Sequence, residues 1–423
     1  MPLRILHFSS SDLHGGAAKA AYRLHCALRT AGHASKMIVR DKLSNDPDVI
    51  QVAGRRGLRL GRKLLERLSP ASQWRRQPDF NADVAPAVML EPALSAIDGQ
   101  VDVLCLHWIT GLLSTRNIAM LAQRYRCPMV WMLTDQEPYT GGCHYTYECT
   151  GYRRQCGRCP QLQSSRPCDR SSLVWRRKQR WLSPLPIAFV SSCSWTTARI
   201  RESSLFGKHA VVDIGDAMDE ETFRPLNQQV ARDLLHVPLD ARVIFFGAFS
   251  LDNPRKGMSH LVAALRQLPG LETADGKSDP FLLCAGHKPD SLIGDLPYRY
   301  RSLGYLKDDL TLALAYQAAD LFVSPSIYEA GSMMIPEAML CGTPAVAFDV
   351  GNARDLIRTG ETGYLAAYRD SADLARGIAT VLCRPDLSAM RQAAHKTAYS
   401  RHASAVVARQ HAGLYGKLCP GKV

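Results

Sequence analysis

The sequence predicts an α/β fold with two similar parallel-sheet domains and a cleft between them. Short runs of β-branched and other apolar residues alternate with helical patterns along the chain, which is typical of parallel sheets covered by helices on both faces. The series of strands fades near residues 216–235 and restarts at Ala241. Hydrophobic residues make up 46% and charged residues 22% of the 423 positions, which indicates a globular chain rather than a disordered one.

Ten runs are strand candidates, five in each half of the chain. In order they are "LRILHFSS", "SKMIVR", "VDVLCLHW", "PMVWMLTD", "PIAFVSS", "ARVIFFGAF", "PFLLCAG", "DLFVSPS", "TPAVAFDVG" and "GYLAAY". They predict an N-terminal domain over residues 1–225 and a C-terminal domain over residues 226–400. For the last segment, residues 401–423, a return to the N-terminal domain is one option.

The formal charge of +13 predicts an anionic partner. The stretch "GRRGLRLGRKLLERLSPASQWRR", residues 54–76, interleaves basic and apolar side chains, a pattern that suits an anionic lipid surface. A solvated helix face is the alternative. A second cluster repeats the pattern with Arg176, Arg177, Lys178, Arg180 and Trp181. Neither stretch contains a nucleic-acid-binding motif, so a membrane surface is favoured over nucleic acid.

Two further features concern the location of the protein. No segment approaches the roughly 18 apolar residues of a membrane-spanning helix. The N-terminal "MPLRILHFSSSD" has neither the apolar core nor the cleavage site of a signal peptide. We therefore expect a cytoplasmic protein, peripheral at the inner face of the cell membrane.

Four of the thirteen cysteines cluster in "GGCHYTYECTGYRRQCGRCPQL", residues 141–162. An intracellular location argues against a disulfide framework. Four thiols that end in a Cys-x2-Cys knuckle predict a structural zinc site, since four ligands leave no open position for water. Metal-free thiols and a redox disulfide are the alternatives, and His144 is an alternative fourth ligand. The predicted zinc ligands are Cys143, Cys149, Cys156 and Cys159.

Ligands of open α/β sheets bind beyond the carboxyl ends of the strands. In this sequence, two turns that follow predicted strands are candidates for such a site. In the first, Gly15 and Gly16 precede a helix that is predicted to begin near Ala17, which lets a phosphate or a sugar approach the backbone. It is not a GxGxxG fingerprint, so a nicotinamide cofactor gains no support. In the second, a loop carries Glu329, and a helix predicted from about Ser332 carries Glu337. Ionised carboxylates accept hydrogen bonds from sugar hydroxyls.

The second turn, "SPSIYEAGSMMIPEAMLCGTPAVAFDVG", resembles the Glu-x7-Glu signature of retaining glycosyltransferases of family 4, which have the GT-B architecture of two Rossmann-like domains. The resemblance extends through "NARDLIRTGETGYL", "DAMDEETFRP", "GAFSLDNPRKGM" and "GGAAKAAYRLHCAL". The stretch "WMLTDQEPYTGGCHYTYECTGYRRQCGRCPQL" is similar to a subgroup of bacterial surface-polysaccharide enzymes, of the colanic acid and O-antigen kind.

The resemblance implies roles for the residues that match the family's motifs. Glu337 binds the ribose of a nucleotide-sugar donor, and Glu329 contacts the transferred sugar. Lys256 neutralises the diphosphate as the leaving group gains charge. At the family's preceding arginine this chain has Ser250 or Leu251, while Arg255 adjoins the lysine. The backbone amides that face the pyrophosphate or the sugar hydroxyls belong to Gly331, Ser332, Met333 and Met334.

Residues of the N-terminal domain complete the implied site. Gly15 and Gly16 face the diphosphate from the opposite wall. His107 matches a histidine at a strand end, although a core histidine is an equal alternative. The subgroup has a His-Asp pair where this chain has Thr134 and Asp135, so Asp135 is the candidate contact to the acceptor.

The implied function is transfer of a sugar from a nucleotide-diphosphate sugar to a lipid-linked saccharide, with retention and with no metal required for transfer. A phosphorylase or a sugar-nucleotide epimerase of the same fold is the first alternative, which product analysis would distinguish. The second is a zinc-bearing nucleic-acid-binding protein, which would bind DNA or RNA in a salt-sensitive way. The sugar, the nucleotide, the linkage and the oligomeric state are not predicted.

Overall fold

A computed structural model describes residues 2–54, 80–84, 88–97, 99–268, 280–287 and 293–420. The chain divides into two compact units. Unit 1 comprises Met1–Ala217 together with Val407–Val423, and unit 2 comprises Met218–Val406. The sequence analysis predicts these two boundaries after residues 225 and 400 instead. Most of the basic stretch 54–76 lies outside the described residues.

Unit 1 is built on a seven-stranded parallel sheet in the order β3-β2-β1-β6-β7-β8-β9. Its strands are β1 (Arg4–Ser11), β2 (Ala34–Asp41), β3 (Val49–Gln51), β6 (Val103–Leu106), β7 (Met129–Met132), β8 (Ile187–Ser191) and β9 (Val211–Asp213). The short strands β4 (Ala53–Gly54) and β5 (Val88–Met89) pair separately. The described helices of unit 1 are α1 (Gly16–Thr30), α2 (Glu91–Ser95), α3 (Thr115–Tyr125), α4 (Arg170–Trp181) and α5 (Ser194–Arg201).

Unit 2 is built on a six-stranded parallel sheet in the order β12-β11-β10-β13-β14-β15. Its strands are β10 (Arg242–Ser250), β11 (Pro280–His287), β12 (Tyr300–Ser302), β13 (Leu321–Ser324), β14 (Ala345–Phe348) and β15 (Gly363–Ala366). The described helices of unit 2 are α6 (Gln228–Leu234), α7 (Met258–Arg266), α8 (Asp309–Ala318), α9 (Met334–Leu340), α10 (Ala353–Leu356), α11 (Ser371–Leu382) and α12 (Ser388–His402). The last helix, α13 (Ser404–Leu418), begins at the end of unit 2 and lies mostly in unit 1.

The central strands of unit 1 are buried on both faces, which explains their continuous apolar sequence. In β7, Met129 and Trp131 pack into one hydrophobic cluster, while Val130 and Met132 pack into another. The alternation follows from the two-residue period of a strand. Tyr415 of α13 belongs to the second cluster, so the end of the chain covers one face of the sheet in unit 1.

The predicted class, two parallel α/β sheets, is confirmed, and all ten predicted strands are present. Within the described ranges, every helix is too short or too polar to cross a lipid bilayer.

Candidate active site

The candidate donor site of unit 2 lies at the carboxyl edge of its sheet. In the strand order, β10 stands between β11 and β13, so the chain direction across the sheet reverses between β10 and β13. Such a switch point opens a crevice between the loops that follow the two strands. The loop after β10 carries Arg255 and Lys256, and the loop after β13 carries Glu329.

Glu329 is buried and holds both basic side chains of the opposite loop. The guanidinium Nη1 of Arg255 lies 2.8 Å from its Oε2, and Nζ of Lys256 donates a hydrogen bond to its Oε1. The hydroxyl of Ser326 donates to the same Oε1 over 3.2 Å. The structure therefore brings together Glu329, Lys256 and Arg255, three residues that the sequence singled out.

The local sequence shapes the loop so that two adjacent side chains reach one carboxylate. Pro254–Lys256 forms a single 3-10 turn, and the side chain of Asn253 accepts a hydrogen bond from the Arg255 amide over 3.0 Å. Gly257 has a φ of 66°, and a Cβ there would lie 1.9 Å from the carbonyl oxygen of Pro325. Only glycine fits such a close approach. The Ile327 amide donates to the Arg255 carbonyl over 2.9 Å, which ties the two loops together.

Electrostatics keep this cluster ionised. Burial acts to raise the pKa of Glu329, but the charges of Lys256 and Arg255 prevail and lower it. Burial lowers the pKa of Lys256, and Arg255 adds to that effect, while Glu329 opposes it. Two cations and one carboxylate leave a net charge of +1 at the switch point, which favours an anionic ligand such as a diphosphate.

The loop after Glu329 differs from the sequence prediction at its end. The amide of Ser332 donates to Oδ1 of Asn352 over 2.9 Å, and Nδ2 of Asn352 donates to the Ser332 carbonyl over 2.8 Å. Because this side chain fixes the Ser332 backbone outside the helix, α9 begins at Met334 rather than near Ser332. In this arrangement the Ser332 amide is already hydrogen-bonded within the protein.

Glu337 lies in the first turn of α9 and is 3% exposed. The phenol of Tyr316 donates a hydrogen bond to its Oε2 over 3.1 Å. A buried carboxylate that a phenol orients is a strong acceptor for further hydroxyl groups.

The glycine pair of unit 1 also lies at a switch point, between β1 and β6 of its sheet. Gly15 is the N-cap of α1 with a φ of 88°, and Gly16 is the first residue of the helix. The predicted start near Ala17 is therefore one residue late. The backbone amides in the first turn of a helix and its partial positive charge are suited to an anion.

His107 follows β6 and has the surroundings of a core histidine. It is 3% exposed, its Nε2 is hydrogen-bonded to Nδ1 of His7 over 2.9 Å, and the two rings stack. Burial, with like-charge effects from His411 and His25, lowers the pKa of His107 to about 3. Its imidazole is therefore neutral at physiological pH.

The buried histidines His7, His25 and His411 are not among the residues that the sequence singled out. His411 comes from α13 and lines a small cavity together with His107 and Thr134. A single histidine inside the apolar run "LRILHFSS" is the one sequence signal that points to this cluster.

The carboxylate of Asp135 is buried and already engaged. Its Oδ2 accepts a hydrogen bond from Nδ1 of His144 over 2.6 Å, and its Oδ1 accepts one from the Glu137 amide over 2.8 Å. The His144 ring also packs at 5.0 Å from the ring of Trp108. As placed, Asp135 orients His144 through this hydrogen bond.

The four clustered cysteines line one small cavity. The Gly141 amide donates to Sγ of Cys156 over 3.2 Å, and burial raises the pKa of the Cys156 thiol to about 12. Across the described ranges, no group of three or more His, Cys, Asp or Glu side chains has an arrangement that could hold a metal ion. The zinc prediction therefore has no support from the geometry.

A buried ion pair fixes the turn that precedes the cysteine-rich loop to α4. Nζ of Lys178 lies 2.7 Å from Oε1 of Glu137, and both side chains are at most 5% exposed. Lys178 therefore does not belong to the basic surface that the sequence predicts on this helix. The other members of that cluster, Arg176, Arg177, Arg180 and Trp181, are exposed.

Comparison with known proteins finds relatives of the C-terminal part. Residues 240–384 match the family model described as "Glycosyl transferases group 1". A phosphatidyl-myo-inositol mannosyltransferase of Mycobacterium leprae is 37% identical over 183 residues, which cover 42% of this chain and 46% of that protein. The chain thus spans about half the length of such curated relatives. Residues 240–384 are thus similar to the group 1 glycosyltransferases.

Solved structures match nearly the whole chain. Sucrose-phosphate synthase from Thermosynechococcus elongatus superimposes with a TM-score of 0.70 and 20% identity, covering 98% of this chain and 99% of that one. Anabaena HepE in complex with UDP and glucose gives a TM-score of 0.64 and 18% identity, with 97% and 99% covered. These similarities show that the fold is GT-B-like.

Proposed function

We propose that the chain is a retaining glycosyltransferase that uses a nucleotide-diphosphate sugar as its donor. The observation that carries the proposal is the buried contact of Glu329 with Lys256 and Arg255 at the switch point of unit 2. This contact falls within the segment that matches the glycosyltransferase family.

Each residue of the candidate site has a separate role in the proposed transfer. Lys256 exchanges its contact with Glu329 for the donor diphosphate and stabilises the negative charge that develops on the leaving group. Glu329, released from the lysine, accepts a hydrogen bond from a hydroxyl of the transferred sugar. Glu337 accepts hydrogen bonds from the ribose hydroxyls. Arg255 keeps Glu329 in place through its 2.8 Å contact.

In the proposed reaction, the bond between the anomeric carbon and the phosphate oxygen breaks as the acceptor oxygen attacks the same face of the sugar. The departing phosphate oxygen takes the proton of the acceptor hydroxyl. This front-side displacement needs neither a nucleophile nor a base from the protein, which is consistent with the neutral, buried His107 and the engaged Asp135.

Exchange of Glu337 for glutamine tests the donor site. We expect donor affinity to fall by roughly 10- to 100-fold, because a charge-assisted hydrogen bond is worth about 1.5–3 kcal/mol. Titration calorimetry against a panel of nucleotide sugars measures it, with product analysis to exclude phosphorolysis and epimerisation. The matched control is Glu361→Gln, an exposed carboxylate of the same unit. Unchanged donor affinity in Glu337→Gln would refute the assignment.

We further propose that the acceptor is a lipid-linked saccharide of bacterial surface-polysaccharide synthesis, reached at the inner face of the cell membrane. The basic stretch 54–76, together with the exposed basic face of α4, supports docking on anionic lipid. Each basic residue near such a surface contributes about 1 kcal/mol. On this basis a few residues decide whether the protein is bound.

Charge reversal tests this docking. The variant carries glutamate at five positions, Arg55, Arg56, Arg59, Arg62 and Lys63. We expect it to lose sedimentation with vesicles of anionic phospholipid while keeping activity on a short soluble acceptor. The control reverses five exposed basic residues of unit 2, Arg266, Arg299, Arg354, Arg358 and Lys396. Vesicle binding that survives the first set of changes, or a wild type that never binds, contradicts the proposal.

The cysteine cluster has a structural role in this proposal, because it holds the loop that carries Glu137 and His144. The finer proposal, one zinc ion held by the four thiols, is supported by their shared cavity and not by their geometry. Metal analysis of protein purified without chelators decides between a zinc-bound and a metal-free cluster.

A further inference from the structure

Asn352 is tied to the loop that carries Glu329, and no step of the proposed reaction uses it. Its side chain makes two hydrogen bonds to the backbone of a single residue. Oδ1 accepts from the Ser332 amide over 2.9 Å, and Nδ2 donates to the Ser332 carbonyl over 2.8 Å. Asn352 is fully buried and Ser332 is 9% exposed, an environment in which such bonds are strong. We call this pair of bonds the asparagine clamp.

The place of Asn352 in the chain makes this use of its side chain unusual. It is the N-cap of α10, where an asparagine side chain ordinarily accepts a hydrogen bond from the first turn of its own helix. Here the side chain makes no capping hydrogen bond. Both of its polar groups bond instead to a residue 20 positions earlier. The side chain therefore stabilises the Glu329 loop rather than α10.

The clamp fixes two peptide planes of that loop. A trans peptide group is planar, so its N–H and its C=O point in opposite directions. Because the Ser332 amide points at Asn352, the Gly331 carbonyl points away from it. Because the Ser332 carbonyl also points at Asn352, the Met333 amide points away from it. One side chain thus sets the direction of the backbone on both sides of Ser332.

The turn that carries Asn352 also supports the other end of the loop. Gly351 has a φ of 59°, and a Cβ there would lie 3.1 Å from both the Cβ and the carbonyl oxygen of Glu329. This turn follows β14, and the Glu329 loop follows the neighbouring strand β13. The close approach at Gly351 and the clamp on Ser332 together hold the loop in one conformation at the carboxyl edge of the sheet.

We propose that Asn352 is a positioning residue for sugar transfer, an inference that rests on the proposed function. Asn352 acts through the loop and not by contact with the donor or the acceptor. The clamp keeps the loop in the conformation in which Glu329 accepts a hydrogen bond from the transferred sugar. A loop that is already ordered loses less conformational entropy when the sugar binds. Without the clamp, part of the binding free energy of the sugar would be used to order the loop.

The affinities for a nucleotide sugar and for its nucleoside diphosphate test the inference, because the clamp acts on the sugar alone. Calorimetry on the full chain compares UDP-glucose with UDP, GDP-mannose with GDP and ADP-glucose with ADP. Asn352→Leu keeps the volume of the side chain without its hydrogen bonds, and Asn352→Ala removes both. We expect each variant to bind the preferred nucleotide sugar about tenfold more weakly, and its nucleoside diphosphate within about threefold of the wild type.

The matched control is Asn227→Ala, which also removes hydrogen bonds from an asparagine side chain to the backbone of unit 2. The side chain of Asn227 accepts from the amides of Gln229 and Val230 at the start of α6, over 2.9 and 3.4 Å. We expect this variant to keep both affinities. The Tm of each variant, measured alongside, separates a general loss of stability from an effect on the sugar.

The outcomes separate this inference from the proposed function. If both Asn352 variants bind the nucleotide sugar as tightly as the wild type, the inference is wrong and the proposed function stands. If both ligands weaken to the same extent, or if neither variant folds, Asn352 serves the fold alone and the inference is again wrong. A wild type that binds none of the three nucleotide sugars overturns the proposed function, and this inference falls with it.

Discussion

Replacement of Lys256 with methionine is expected to lower the turnover number by about 100- to 1000-fold. The reason is that the lysine stabilises charge that exists mainly in the transition state, when the diphosphate leaves. Donor affinity should fall much less than turnover, since interactions confined to the transition state change kcat more than binding. Steady-state kinetics with the preferred nucleotide sugar, together with calorimetric donor binding, measure the two effects separately.

The matched control for this variant is Arg266→Met, which removes an exposed cation from the end of α7. A further comparison is Arg255→Met, because Arg255 donates to the Tyr328 carbonyl over 2.9 Å as well as contacting Glu329. We expect the arginine variant to destabilise the loop and to weaken donor binding and turnover together. Lys256→Met with a turnover within threefold of the wild type would remove the lysine from the mechanism.

The sequence predicts the strands of this fold well because burial on both sheet faces forces continuous apolar runs. The apolar runs "VDVLCLHW" and "DLFVSPS" each predict a strand that is buried within a parallel sheet. Edge strands do not share that constraint. Val49–Gln51, Val211–Asp213 and Tyr300–Ser302 have three residues each, partly exposed, and such segments carry too short a pattern to be distinguished from a loop.

The candidate site was predicted residue by residue, but the contacts within it were not. Lys256 and Glu329 are 73 positions apart in sequence, and a motif for each predicts only a shared edge of the sheet. That the neighbouring Arg255 also reaches Glu329 depends on the 3-10 turn before Gly257. That Ser332 lies outside the helix depends on Asn352, which is 20 residues further on. Side chains that fix a loop from a distance leave no local pattern.

The buried histidines of unit 1 lead to a second large effect, a loss of stability in mild acid. Burial lowers the pKa of His7 well below its ordinary value, with added effects from His107, His25 and His411. Burial also lowers the pKa of His411 to about 3, and that of His107 is equally low. Within the described residues, neither ring nitrogen of His411 has a hydrogen-bond partner, so nothing offsets the burial of a charge there.

The direction of the effect follows from which state binds protons. In the unfolded chain each histidine protonates below about pH 6.5, while in the folded unit His107 and His411 stay neutral down to about pH 3. Stability is therefore intact above pH 6.5 and falls as the pH drops from there toward 3. At pH 5 the loss is about 2 kcal/mol each for His107 and His411, and His7 adds to it. For a unit of this size, about 4 kcal/mol lowers Tm by roughly 10 °C.

Tryptophan fluorescence reports this loss from unit 1 alone, because all six tryptophans lie before residue 218. We expect the fluorescence Tm to fall by roughly 10 °C or more between pH 7.5 and pH 5. His411→Leu removes one titrating group from an apolar setting, so it should recover about 2 kcal/mol of the loss at pH 5 and change little at pH 7.5. The exposed His14→Gln serves as the control. A histidine buried without compensation cannot bind a proton in the folded state without cost. An equal Tm at both pH values in the wild type, or no recovery in His411→Leu, would therefore contradict the prediction. Either result would mean that these imidazoles have partners or water access that keep their pKa values near 6.5.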